Sequence, residues 1–218
     1  MKVAIVSANF GGIDNVLPIP DQTFPFDRKV YTEENSPFPL PNLDNRTKAR
    51  YIKEKMHRFI PEYDVFIWLD GRVQVTSKLF VENFLQKLNG HDMVCTLHSE
   101  RKDIYSEMEF ILWTMNKGNH YLISRYGHQS IRKEFDFYTA NKMPKTFPLF
   151  SSGMWARWNN EKCNDMCDEW FMRNIEYSNF DQTMLSFVAW KHNMKIATIP
   201  YENQFYKVLK HKIYGYSY

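Results

Sequence analysis

An apolar run, Val65–Leu69, stops at an acid followed by a glycine and a cation, Asp70-Gly71-Arg72. A carboxylate at a strand end suits a ribose hydroxyl or a divalent ion, and the glycine lets a ligand approach closely. Asp-Gly also favours a tight turn by itself. Two residues on, Arg72 offers a planar guanidinium that can neutralise a diphosphate bidentately, or a plain solvent-facing cation. Asp181-Gln182 opens a helical stretch, where an Asp is a common cap and equally a carboxylate turned toward a ligand. "RYIKEKMHR" sets Arg50, Lys53 and His57 roughly one turn apart on one helix face, toward a phosphate or toward water. "HSERKDIYSE" contributes His98, Arg101 and Glu107; Arg101 suits phosphate, whereas the composition alone reads as a loop entering a solvated helix. Ser152-Gly153 leaves room for a close ligand. His211, in "LKHKIYG", is a possible ion ligand or an exposed histidine of a basic tail.

The elements that must position these groups are legible as apolar runs and helical spacing. Lys2–Ala8, Asp64–Leu69, Asp92–Leu97 and Lys195–Ile199 read as strands. Residues 45–60, Lys78–Leu88, Ile104–Asn116, Asn160–Ile175 and Asp181–His192 read as helices, the first capped at Asn42 or Asp44. Pro148–Trp158 is extended or turning, and residues 13–45, which hold most of the ten prolines, read as a loop excursion. Strands alternating with helices predict an α/β fold with a mainly parallel sheet. Such sheets bind ligands beyond the carboxyl ends of their strands. Asn9, Asp70 and His98 each follow such an end and are expected on one edge, with Asn9 and Phe10 placed to meet a nucleotide base or ribose.

The chain has 218 residues, 44% hydrophobic and 17% aromatic, enough for one domain with a real core. A net charge of +3 fits a small anionic ligand and is too weak to argue for nucleic acid. No apolar run is long enough to span a bilayer, and Val3–Val6 is shorter than a signal-peptide core, so a cytoplasmic location is expected. Cys95, Cys163 and Cys167 are an odd set, which argues for reduced thiols; Cys163 and Cys167 share an apolar helix face and read as core.

Several of these pieces together carry a resemblance. "FIWLDGRVQV" resembles the "YLDxDxxV" strand end of GT-A glycosyltransferases, which hold a nucleotide-sugar diphosphate through a metal. "LFSSGMWARWN" is similar to the "FNSGVxxxN" segment of the family-8 glycosyltransferases, "FDQTMLSFV" to their "DQDxLN" helix start, and "IPYENQFYKVLKHKIYGY" to their closing segment with its late metal-binding histidine. The spacing of "RYIKEKMHRFIPEYDVFIWLDGRVQV", "HSERKDIYSE" and "FDQTMLSF" looks closer still to a glycosyltransferase-like family first catalogued as a domain of unknown function. Plant mucilage and turgor-related proteins belong to it; small glycosyltransferase domains of large algal viruses would be its relatives. The matching pieces run in order from Arg46 to Gly215.

The resemblance implies a single GT-A (Rossmann-like) domain over 1–218, with a mainly parallel mixed sheet flanked by helices. Its nucleotide-binding part would be about 1–100 and its acceptor and sugar part about 101–218. It implies a retaining transfer from a UDP-sugar to a glycan or glycoprotein, assisted by Mn²⁺ or Mg²⁺ held by Asp70 and His211. Asn9, Arg50, Lys53, Asp70, Arg72, Arg101, Ser152 and Gly153 would bind the donor, and Glu107 would bind sugar or balance a cation. Asp181 and Gln182 would be catalytic, with Asp181 beside the anomeric carbon to stabilise an oxocarbenium-like transition state. One departure stands out: where GT-A enzymes carry the second acid, this chain has Arg72, and a guanidinium cannot ligate a metal. Two other classes are weighed against transfer. One is a nucleotide-sugar-binding module without turnover, suggested by that missing acid. The other is a lipid-amide hydrolase, an activity linked to a relative of the family, against which stands the lack of a Gly-x-Ser-x-Gly elbow or His-Glu-x-x-His motif.

Overall fold

The structure, a computed structural model, describes residues 1–37, 42–201 and 203–209. In chain order the elements are β1 (Val3–Ala8), β2 (Asp27–Tyr31), α1 (Asn45–Glu54), α2 (Met56–Phe59), β3 (Val65–Leu69), β4 (Val73–Val75), α3 (Phe80–Leu88), β5 (Met93–Leu97), α4 (Ile104–Asn116), α5 (His120–Tyr126), α6 (Ile131–Ala140), β6 (Phe150–Trp158), α7 (Glu161–Glu176), α8 (Asp181–Lys191), β7 (Ile196–Ile199) and β8 (Tyr206–Val208).

Six strands form one mixed sheet in the order β2-β1-β3-β6-β5-β7. β1 runs parallel to β2 and β3, and β7 parallel to β5. β6 runs against both of its neighbours, β3 and β5. The pleat sends alternate residues to opposite faces. Ala4, Val6, Phe66, Trp68, Cys95 and Trp155 face the side covered by α1 and by α4 to α8. Val3, Ile5, Val65, Ile67, Leu69 and Val94 face the side covered by α3. β4 and β8 form a separate antiparallel pair, Val73 opposite Val208.

Several features differ from the sequence reading, among them the helices α5 and α6, which it did not include. The proline-rich excursion contains an edge strand, β2. Its sequence, DRKVY, is polar and only half-buried, so it carries no apolar alternation to read. The helix expected over 45–60 breaks at Lys55, which leaves helical geometry at φ −113°, ψ 20°, and separates α1 from α2. Pro148–Trp158 is resolved as the long strand β6, buried through eight of its nine residues. Cys95, Cys163 and Cys167 are buried and unbridged. No helix of the described residues is long and apolar enough to cross a membrane.

The antiparallel β6 decides the geometry of the sheet edge. Its N-terminal half lies beside the C-terminal ends of β3 and β5, with Met154 opposite Leu69 and Phe150 opposite Leu97. Between Cys95↔Trp155 and Thr96↔Ser151 the register slips, and β6 carries Ser152, Gly153 and Met154 as extra residues against β5. A bulge of this kind re-aims side chains at a sheet edge.

Candidate active site

A cavity opens where β1, β3 and β5 end and β6 begins. Asn9, Asp70 and His98 all line it, as their places after three strand ends predict, and Arg50, Arg72, Ser152, Gly153, Asp181 and Gln182 join them. The bulged Gly153 brings its backbone against Asp70, whose N–H donates to the Gly153 carbonyl at 2.9 Å. A Cβ on Gly153 would stand 3.1 Å from Asp70 Oδ2, so the absence of a side chain there keeps that oxygen open. The other carboxylate oxygen, Oδ1, accepts from the Trp68 indole at 2.7 Å.

Behind this edge lies a buried charge cluster. Lys53, fully buried on α1, donates to Asp181 Oδ2 at 2.7 Å and sits 3.8 Å from Asp70 Oδ1. Its ammonium also lies over the faces of Trp68 and Trp170, 5.3 and 5.8 Å from their centroids, a favourable place for a cation. Arg50 reaches the same Asp181 oxygen at 2.8 Å. Burial raises the Asp181 pKa, but the two cations and the Ser152 hydroxyl more than offset it and hold it at about 2. Asp181 is the first residue of α8, one past the N-cap Phe180, and its carboxylate is engaged by Lys53 and Arg50, so a cap does not explain it. Next to the cluster, burial pushes the Glu54 carboxyl well above the usual range.

The candidates separate into those that face the cavity and those that stand behind it. Lys53 reaches two acids and is absent from the cavity wall. His57 turns the opposite way: Nε2 meets Asp168 at 2.9 Å and Nδ1 meets buried Arg157 at 3.1 Å, a structural cluster in which burial depresses His57 to about 4. The helix break at Lys55 removes His57 from the face shared by Arg50 and Lys53. Asn9 lines the cavity, but its amide braces the following turn by donating to the Asp14 carbonyl at 2.9 Å. Arg101 also stands back from the wall. Its guanidinium pairs with Glu107 and Glu100 and stacks on Phe110, 4.2 Å from the centroid. Glu107, 1% exposed, accepts from Gln182 Nε2 at 2.6 Å. His98 lines the cavity, while its Nδ1 accepts the backbone N–H groups of Glu100 and Arg101 at 3.2 and 3.0 Å.

Two arginines on the wall escaped the sequence reading, Arg46 and Arg125. Arg46 stands one turn before Arg50 on α1, a spacing that could have flagged it. Arg125 comes from α5, which had no sequence signal. The wall therefore combines four guanidinium groups with three carboxylates, those of Asp14, Asp70 and Asp181. The Arg72 Nε is buried with no partner among the described residues. A hard divalent ion needs several oxygen donors. Among the described residues no group of three acidic, histidine or cysteine side chains could hold one. Asp70 offers one open oxygen and Arg72 stands in the second acid's place; His211 lies outside the described residues. The described side chains by themselves do not fit a divalent-ion site.

A family model for the TOD1/MUCI70 glycosyltransferase-like domain matches residues 34–213. The chain belongs to that family. The match spans the cavity wall from α1 through α8 and supports glycosyl transfer as the general activity. No curated protein is significantly similar to the chain in sequence. Among solved structures, the WbbM bifunctional glycosyltransferase aligns over 91% of this chain and 38% of its own, with TM-score 0.51 and 13% identity. The chain thus spans well under half of that protein. Mouse xyloside xylosyltransferase 1 aligns over 91% and 85%, with TM-score 0.48 and 10% identity. A glycosyltransferase involved in glycosylation of the PBCV-1 major capsid aligns over 91% and 81%, with TM-score 0.44 and 9% identity. At such identities the likeness is one of fold. This TOD1/MUCI70 domain has the α/β GT-A fold, a mixed sheet flanked by helices.

Proposed function

We propose that this domain transfers a sugar from a UDP-sugar to a glycan or glycoprotein acceptor with retention of anomeric configuration. The observation that carries the reading is the convergence of Asp70, Arg72 and the bulged Gly153 at the edge where three strands end. Gly153 leaves Asp70 Oδ2 uncrowded there, Gly71 lets the Asp14 side chain pack close, and the wall arginines supply charge-assisted donors to phosphate oxygens. The half up to about residue 100 would hold the nucleotide, and the half from about 101, with α8, the sugar and acceptor. UDP and retention are supported by the family-8 likeness of the Leu149–Asn159 and Phe180–Val188 segments. Asp70 meets the ribose or the phosphate end, and Arg72 the diphosphate. Asp181 and Gln182 stand at the sugar, where Asp181 keeps Arg50 and Lys53 in place as charge develops. No step runs through a metal, because guanidinium groups occupy the phosphate end.

Thermal shift and calorimetry with UDP, UDP-sugars, GDP-sugars and CMP-sugars test the reading, each with Mn²⁺ and with a chelator. UDP-sugars are expected to stabilise most, by about 2.7 kcal/mol at roughly 100 times the dissociation constant, and UDP is expected to bind in the chelator. A GDP-sugar preference would overturn the donor. UDP binding that needs Mn²⁺ would return Asp70 and His211 to the role of ion ligands. A second reading, donor binding without turnover, is favoured by Arg72 in place of the second acid. It predicts UDP-sugar binding with neither transfer nor slow donor hydrolysis.

A further inference from the structure

Gln182 is held by a one-way contact. Its Nε2 donates to Glu107 Oε1 at 2.6 Å, and Glu107 Oε2 accepts from Arg101 Nε. An ionised carboxylate can only accept, so the amide must turn its NH₂ to Glu107. The partner on the other oxygen is a guanidinium, Arg101, itself held on Phe110 and Glu100. Gln182 lines the cavity, and with its NH₂ committed to Glu107 the side-chain oxygen Oε1, which accepts no bond among the described residues, is the amide atom left for a ligand.

We propose that Arg101 and Glu107 are positioning residues that lock the Gln182 amide with its carbonyl oxygen toward the donor, as the acceptor for a hydroxyl of the transferred sugar. The proposal rests on the nucleotide-sugar reading above and adds what the wall asks of the sugar. A carbonyl oxygen has no proton to give, so it does not bind a phosphate oxygen; it binds an O–H or N–H. A freely turning amide would take either a donor or an acceptor, whereas a locked one discriminates between them. The arginine expected to bind phosphate thereby acts two residues away from the ligand, through a carboxylate and an amide.

The test is E107Q, which keeps the size of the side chain and removes its charge. The substituted amide can donate as well as accept, so Gln182 is free to turn over. Calorimetry with UDP, UDP-glucose, UDP-galactose, UDP-xylose and UDP-N-acetylglucosamine would compare it with wild type and with Q182L. In wild type, at least one UDP-sugar is expected to differ from UDP in affinity. In E107Q and Q182L that sugar should lose on the order of tenfold, while UDP itself is unchanged. The Gln182 side-chain NH₂ signals in a ¹H–¹⁵N spectrum should move in E107Q, which reports the lock without any ligand. Equal losses for UDP and UDP-sugars would show a merely structural contact and overturn the proposal. So would an unchanged UDP-sugar affinity, no wild-type difference between UDP and any of the sugars, or unmoved Gln182 signals. Wild-type protein that binds no UDP at all would overturn the nucleotide-sugar reading beneath it, which sets that failure apart from the others.

Discussion

Replacing Asp181 by Asn isolates the charge cluster behind the cavity. Asp181 Oδ2 faces Lys53 at 2.7 Å and Arg50 at 2.8 Å, and Lys53 is fully buried. The carboxyl titrates at about 2 rather than 3.8, a difference worth about 2 kcal/mol. Deleting one partner of a buried pair costs about 3–5 kcal/mol, and the amide oxygen of Asn keeps a hydrogen bond to Lys53. A loss of about 2–4 kcal/mol is therefore expected, or a Tm lower by about 4–16 °C for a chain of this size. The sign with pH follows from the depressed pKa. Asp181 contributes fully above the unfolded value of 3.8, and the contribution disappears as pH falls toward 2. The gap between wild type and D181N should be full at neutral pH and should narrow in acid. Lys53→Met places an apolar stem between Trp68 and Trp170 and removes the buried cation, so D181N/K53M should be more stable than the sum of the two single losses. Calorimetric scans of all four proteins close this cycle. Strict additivity, or a D181N loss that does not change with pH, would refute the cluster as a coupled charge network. Turnover should fall in D181N while UDP binding persists, since the nucleotide contacts proposed above centre on Asp70 and Arg72, on another element.

Three further outcomes are expected. Arg72→Ala should weaken UDP by roughly 1.5–3 kcal/mol, one to two decades, and leave uridine unaffected, as titrations of both ligands would show; unchanged UDP affinity would mean the guanidinium points elsewhere. Gly153→Ala places a methyl 3.1 Å from Asp70 Oδ2, so the carboxylate must shift; donor affinity is expected to fall with little change in Tm, and wild-type affinity would place the donor away from this oxygen. His98 is held neutral, at about 4 instead of 6.5, by burial and by the Arg101 charge, and its Nδ1 is already an acceptor. Because the folded value is lowered, its stabilising share is full above 6.5 and lost as pH falls toward 4. The rate–pH profile should then show no step between about pH 6 and 7 that disappears in His98→Asn, a variant whose Oδ1 can accept the same two amides.

Much of the fold was readable locally. Apolar runs marked β1, β3, β5 and β7 to within a residue of their ends, and Ile104–Asn116 appeared as a helix with those bounds. Asp44, one of the two caps considered, accepts from the Arg46 and Thr47 amides. Burial leaves a period in the sequence, and a residue that ends an apolar run stands at the end of a strand. For this reason Asn9, Asp70 and His98 could be assigned to one edge before any pairing was known. Arg72 in the second acid's position was equally visible, since it needs only its neighbours.

The rest depended on which distant residues meet. A cation's partner is not written beside it: Lys53 reads as one more charge on a helix face, yet it is buried because Asp181 lies 128 residues away at the same point in space. Arg101 reads as a free phosphate ligand until the fold sets Glu107 and Gln182 in line with it. The direction of β6, and the three extra residues that push Gly153 against Asp70, follow from sheet closure and not from any local period. Local pattern was enough to set most of the strands and helices and the residues at the sheet's edge, because solvent exposure alternates along the chain. Which of those charges face a ligand and which neutralise one another emerged only on folding, because electrostatic pairing depends on distance through space, which sequence separation does not encode.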